Sequence, residues 1–312
     1  FLQRFAMGDF GPAPAEALLP DELRAKVKFA LIGGSAVPIP EGRATYRWQT
    51  PFGHVGGLSF LDDASTWLFV PRHHCTRFTD EGKADYAPPH AINYKALIWA
   101  LKDLGVQRVV AFGSAGSLHP AKVPVGSVCM PDDYFMVLPE ATTYWPDPRV
   151  GMFGAGEGQV GQIHYTPATR DDPAWVQHRK EVQAAVQPVV APLLESKDVS
   201  LCADQTAELW PCCKTLDVEQ EPILTYVMTV GPRFETRSEI RHYARCGDVV
   251  GMTCGKEWAL CGELNLPYVL ICTIDNSCNG LSTHPKGALQ EYIDHKPHVA
   301  TVVKAMIQAL VK

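Results

Sequence analysis

The chain predicts an α/β fold: one domain built on a central, mixed but largely parallel β-sheet flanked by helices. Two observations carry this. From Lys26 onward, short β-rich runs alternate with amphipathic helical stretches, the pattern of strands joined by crossover helices. Two of the apolar runs, ALIGGSAV at 30–37 and VVAFGSAGSL at 109–118, collide with glycine and serine. A parallel strand that ends this way delivers backbone N–H groups and hydroxyls to the rim where ligands sit in such sheets.

The N-terminal FLQRFAMGDFGPAPAEALL lacks a charged start and a continuous apolar core, so residues 1–26 read as a tail and residues 27–312 as the domain. Strands are expected at KVKFALIG, TWLFVPR, RVVAFGS, GSVCMPD, ILTYVMTV, DVVGM and PYVLICTID, bounded by Gly, Pro or Asp. In AINYKALIWALKDLG, Ala96, Leu97, Ala100, Leu101 and Leu104 fall at helical spacing, and Gly105 is placed to end the helix. The stretch HVATVVKAMIQALVK repeats the device with Val299, Val302, Val303, Met306 and Leu310. Segments 139–162, rich in Gly, Pro and aromatic residues, and 196–222, with Cys212, Cys213 and several acids, read as excursions from the one domain.

Composition narrows the function classes. With 46% hydrophobic and 20% charged residues in 312, the chain can bury a large core. No apolar run approaches the ~18 to 20 residues a membrane helix needs. The formal net charge of -6 argues against a nucleic-acid binder held by phosphate contacts, yet leaves room for a local basic site for a small anion. Ten cysteines, several inside apolar stretches (Cys129, Cys261, Cys272), read as buried free thiols of a cytoplasmic protein.

The residues that can carry chemistry stand at strand ends. Gly33-Gly34-Ser35 is neither GxGxxG nor a Walker motif, so it reads as a tight turn or an anion cradle; Gly113-Ser114-Ala115-Gly116-Ser117 leaves the same two readings open. Arg72-His73-His74-Cys75 offers a bidentate anion partner and a neighbouring donor, or a solvated strand end. Zinc is a poor reading, because adjacent strand residues point to opposite faces and no second ligand pair has suitable spacing. In TVGPRFETRSE, Thr236 and Glu239 can form a capping box, and Phe234 beside Glu235 suits a planar heterocycle, one face stacked and one edge hydrogen-bonded. Met252 and Thr253 end one further strand and Asp275, Asn276 and Ser277 another.

Taken in order, IGGSAV, TPFG, PHAINYKALIWALKDLG, GSAGSL with VGSV, GPRFETRSEI, GDVVGMT and the strand ending TIDN resemble the motifs of the trimeric purine nucleoside phosphorylase and methylthioadenosine phosphorylase family, over roughly residues 28 to 310. The resemblance implies cleavage of a purine nucleoside's N-glycosidic bond by inorganic phosphate, with no cofactor and no metal, in a homotrimer. It assigns phosphate to Ser35, Arg72, His73, Ser114 and Thr253. The nucleoside falls to Ser114, Ala115, Phe234, Glu235, Met252, Asp275, Ser277 and Leu289, with His164 reaching in from a neighbouring subunit. Asp275, Thr253 and His73 are the expected catalytic residues, Asp275 sharing a proton with N7 of the departing base.

Departures from the family bear on the base. Val230 stands where methylthioadenosine phosphorylases carry Glu, Ser277 where they carry a second acid, and Gly255-Lys256 where Val-Pro precedes Glu257. Glu235 resembles the 6-oxopurine enzymes, which have Asn where this chain has Asp275. On the weight of Asp275 the sequence favours 5′-methylthioadenosine or adenosine, with a 6-oxopurine nucleoside, or binding without turnover, as the alternatives. Leu289 would then pack a methylthio group.

Overall fold

The computed structural model describes residues 14–34, 37, 38, 40–137, 141–144, 172–195 and 224–312. In chain order the elements are β1 (Ala17–Leu18), α1 (Asp21–Arg24), β2 (Phe29–Gly33), β3 (Tyr46–Thr50), β4 (Gly53–Phe60), β5 (Trp67–Pro71), a 3₁₀ turn (Pro89–Ala91), α2 (Tyr94–Asp103), β6 (Arg108–Ser117), β7 (Val128–Cys129), β8 (Asp133–Met136), α3 (Pro173–Glu195), β9 (Thr225–Met228), α4 (Arg237–Tyr243), β10 (Val249–Gly251), α5 (Cys254–Glu263), β11 (Tyr268–Ser277) and α6 (Ala288–Leu310). Each of the seven expected strands overlaps an observed one.

Among the described residues the strands form one mixed, mostly parallel sheet in the order β1-β3-β4-β5-β2-β6-β10-β9-β8, with β11 on β6 and β7 on β11. The long strand β6 organises it. Its first half lies parallel to β2 (Phe29↔Arg108 to Ile32↔Ala111), its whole length lies parallel to β11, and its end takes β10 antiparallel (Val249↔Ser117). The ends of β6, β10 and β11 therefore converge.

Side-chain alternation along these strands fills two apolar layers. Ala30, Ile32, Val109, Ala111 and Leu270 point into one, closed by Leu97 and Leu101 of α2 and Trp258 and Leu260 of α5. Leu31, Val110, Phe112, Val269 and Ile271 point into the other, closed by Val182, Val186 and Val190 of α3 and Val299, Val302, Val303 and Met306 of α6. Apolar residues on both faces are what a covered parallel sheet requires. The named cysteines Cys129, Cys261 and Cys272 are buried free thiols.

The helix ends follow their sequence signals. Asn93 caps α2 by accepting from Ala96 N at 3.0 Å, and Gly105 lies just beyond it at φ +82. Thr236 and Glu239 close a capping box at α4. Several features differ from expectation, among them β8, which follows the predicted GSVCMPD run. The hairpin β3–β4 is absent from the predicted strands, because YRWQT is mixed in polarity and GHVGGLSF carries Gly53, Gly56 and Gly57. α6 begins at Ala288 and passes through Pro297, ten residues ahead of the apolar periodicity. Residues 17–24, inside the expected tail, supply β1 beside β3 and the short α1. No described helix is long and apolar enough to cross a membrane. The 196–222 segment and most of 139–162 lie outside the described residues.

Candidate active site

A cavity of about 330 Å³ opens where β5, β6, β10 and β11 end, roofed by the loop from Pro232 to Glu235. Its floor is cationic. Arg72, 1% exposed, follows β5 and reaches β6, whose 113–117 stretch stays extended as strand where the sequence also allows a tight turn. Its Nε and Nη2 donate to the two oxygens of Glu257 in α5, the second at 2.9 Å, and Nη1 donates to Phe112 O at 2.7 Å. Tyr268 Oη also donates to Glu257, at 2.9 Å. A guanidinium has five N–H groups, so three bonds leave two at the cavity floor. The Glu257 carboxylate holds the Arg72 guanidinium charged against the cost of burial.

Gly34 makes this placement possible. A Cβ there would lie 2.6 Å from Arg72 Nη1 and 3.0 Å from Phe112 O. Thr253 sits on the same floor at the N-cap of α5, its side chain making no cap bond, while the first-turn N–H groups of Cys254 and Lys256 donate elsewhere, to Tyr226 Oη at 3.4 Å and Met228 Sδ at 3.2 Å.

His73 lines the wall beside Arg72. Its Nδ1 donates to Ala87 O at 2.9 Å, and its ring stacks on Tyr86 at 5.1 Å. Burial, with Arg72, His74 and Lys296 adding positive charge, pushes its pKa down to about 4. The neutral ring, with Nδ1 committed, offers Nε2 as an acceptor. His73 thus suits a hydroxyl or a protonated phosphate oxygen, where the sequence suggested a donor.

The opposite wall is built for a planar group. Gly231, at φ +68, has no room for a Cβ, which would meet Met252 Sδ at 2.7 Å; the turn it makes brings Phe234 and Glu235 over Met252. Phe234 is 37% exposed and meets Tyr292 edge-on at 6.1 Å. Glu235 is buried and accepts from Thr229 Oγ1 at 2.5 Å, and burial raises its pKa. Ser114, Ala115 and Asn276 complete this side.

The chain that builds this cavity is similar to known proteins. The phosphorylase superfamily model matches residues 80–312. The chain belongs to that superfamily. The 6-oxopurine nucleoside phosphorylase of Pyrococcus furiosus is 31% identical, the match covering 82% of this phosphorylase and 81% of the relative. The S-methyl-5′-thioadenosine phosphorylase of the same organism is 29% identical, over 79% and 78% of the two chains. Among solved structures, a methylthioadenosine phosphorylase from Schistosoma mansoni in complex with adenine shares the fold at a TM-score of 0.61 and 21% identity, covering 91% of each chain.

The phosphorylase gathers Arg72, His73, Ser114, Ala115, Phe234, Glu235, Met252 and Thr253 around one cavity. Ser35 and His164 lie outside the described residues. Three of the expected residues are elsewhere. Asp275 is 0% exposed and does not line the cavity, because a bulge between Ile274 and Asn276 shifts the register of β11 against β6 and brings Asn276 to the cavity instead. Ser277 is buried outside the cavity, its backbone N–H bonded to Glu291 at 2.8 Å. Leu289 is 56% exposed and shares an outer face of α6 with Ile293, four residues on; Tyr292 is that helix's contribution to the wall. Sequence reasoning missed Glu257, Tyr86 and Tyr292, and named Asn276 at its strand end while giving the base contact to Asp275. Among the described residues no group of three or more His, Cys, Asp or Glu is placed to hold a metal ion.

Proposed function

We propose that this phosphorylase cleaves the N-glycosidic bond of a purine nucleoside with inorganic phosphate, and that the base it accepts best is a 6-oxopurine. The observation that carries the reading is the pairing of Glu235 with Asn276 in a cavity whose floor is Arg72 and Thr253. Phosphate takes the two spare N–H groups of Arg72 and the Thr253 hydroxyl, with a protonated oxygen on His73 Nε2. Held there, its negative charge stabilises the oxocarbenium-like ribosyl group as the base departs. Phe234 and Met252 wall the base and sugar. The Glu235 carboxylate accepts the N1 proton that only 6-oxopurines carry, and the Asn276 amide can donate to O6 or N7.

The preference for methylthioadenosine loses its support once Asp275 leaves the cavity and Leu289 faces outward. Family resemblance further implies a homotrimer, and Tyr86 and Phe234, partly exposed at the rim, suit a neighbour that covers the sugar. Sedimentation tests that assembly. The reaction is tested by phosphate-dependent release of free base from inosine, guanosine, adenosine and methylthioadenosine. Release from inosine and guanosine well above the other two is expected; release only without phosphate, or a preference for adenosine, overturns the reading.

A further inference from the structure

We propose that Asp275 is a positioning residue that sets the direction of the Ser114 hydroxyl, and through it the affinity of the site for phosphate. The inference rests on the phosphate half of the reading above. Four buried oxygens stand together without a hydrogen-bond partner among the described residues: both carboxyl oxygens of Asp275, Ser114 Oγ and Thr273 Oγ1. Ser114 and Thr273 are register partners across β6 and β11, and the bulge drops Asp275 behind them. Both hydroxyls lie beside the carboxyl and act on it, though neither reaches hydrogen-bond geometry. Ser114 also lines the cavity, so this group touches the site from behind.

Leaving a buried polar group unpaired is costly, so four together mark an arrangement whose internal pairing can change with the proton on Asp275 and with what meets Ser114 from the cavity. The surroundings supply little else. Lys296 of α6 is the cation that acts on Asp275. Cys272 on its own strand is a thiol that burial keeps neutral, opposite Cys129 of β7. His298 of α6 borders Thr273 from a separate small cavity, and Glu291 of the same helix is taken by Ser277. Burial pushes the Asp275 carboxyl up to about 6.

The two protonation states aim Ser114 differently. A protonated Asp275 donates its O–H to Ser114 Oγ, which leaves the serine proton free to point into the cavity and bind a phosphate oxygen. An ionised Asp275 takes the serine proton for itself, turning lone pairs toward the phosphate and adding a negative charge behind it. The Asp275 carboxyl O–H bond breaks, its proton going to solvent and its electron pair staying on the carboxylate, and no other covalent bond changes. Anion binding and protonation of Asp275 therefore favour each other reciprocally.

Sulfate is the probe, since it keeps its charge between pH 5 and 8 where phosphate does not. Calorimetry of sulfate binding to the native enzyme is expected to show affinity falling about tenfold across that range, equivalent to a one-unit pKa shift. His73, at about 4, titrates below this window. The Asp275→Asn amide donates to Ser114 at every pH and should hold the acid-side affinity at pH 8. Ser114→Ala should bind weakly with no slope, whether or not the Asn variant folds. Glu235→Gln should keep the native slope, which separates the other buried acid of the cavity. A flat native profile, or an unchanged slope in Asp275→Asn or Ser114→Ala, overturns the proposal. Failure of sulfate and phosphate to bind at any pH overturns the phosphate reading itself.

Discussion

Arg72 and Glu257, 185 residues apart in the chain, close a bidentate ion pair under the cavity floor with side chains 1% and 0% exposed. Breaking such a pair strands a buried charge, at about 3–5 kcal/mol. Glu257→Ala is therefore expected to lower the urea midpoint strongly and to raise the Michaelis constant for phosphate, although Glu257 itself lies behind the phosphate. Arg72→Ala should cost a similar stability, and the double variant less than the sum of the two. Additive losses in a urea double-mutant cycle would rule out the coupling.

Gly34 tests whether the floor depends on close packing. With a Cβ 2.6 Å from Arg72 Nη1, Gly34→Ala must displace the guanidinium or the backbone of the turn. Catalytic efficiency toward phosphate is expected to fall about ten- to a hundredfold, the effect of mispositioning one charged donor in a dry site. Titrating initial rate against phosphate at saturating nucleoside checks this; an unchanged Michaelis constant would show that Arg72 adapts.

The buried histidines predict a direction for acid sensitivity. His73 and His178 both have pKa values pushed down to about 4 by burial. Between pH 4 and 6.5 the unfolded chain binds more protons at these positions than the folded one, so stability rises with pH through that window and is lost below it. Asp275, raised to about 6, works oppositely between pH 3.8 and 6. Glu235, raised by burial, acts on Asp275's side, so the histidine contribution is read from a variant and not from the net slope. His178, bonded through a ring nitrogen to Val109 O at 2.9 Å, is the cleaner target because it does not line the cavity. His178→Gln should flatten the dependence of unfolding free energy on pH between 6.5 and 4; an unaltered slope would refute its part.

Much of this was legible in the sequence because the fold is written in redundant signals. The apolar runs of β2, β5, β6 and β11, the helical spacing of α2 and the capping box of α4 each repeat the same message at several positions. The cluster Arg72, His73, Thr253, Phe234 and Glu235 could be found because polar residues at parallel strand ends converge. A bulge has no such redundancy. Strand alternation puts Thr273, Asp275 and Ser277 on one face, and a single extra residue exchanges Asp275 for Asn276 without altering composition. Glu235 was the available hint, since an acceptor for an N1 proton agrees with an amide across the base better than with a carboxylate. Leu289 faltered for a related reason: no periodicity announced where α6 begins, so its facing could not be read.

Asn276 is the sharpest test of the base assignment. Its amide is 4% exposed, with Nδ2 donating to Ser277 O at 3.0 Å, and it lines the cavity with Glu235. An amide can present a donor to the acceptors O6 or N7 of a 6-oxopurine, whereas a carboxylate would face O6 lone pair to lone pair. Asn276→Asp should therefore reduce catalytic efficiency with inosine by about ten- to a hundredfold, corresponding to one unpaired buried contact, and lose much less with a 6-aminopurine nucleoside, whose amino group can donate to the new acid. Asp275→Asn should leave the inosine-to-adenosine ratio near its native value, since that side chain meets no base. The measurement is that ratio in the native enzyme and both variants. A ratio that responds to Asp275→Asn and ignores Asn276→Asp would return the base contact to Asp275 and with it the case for an aminopurine substrate.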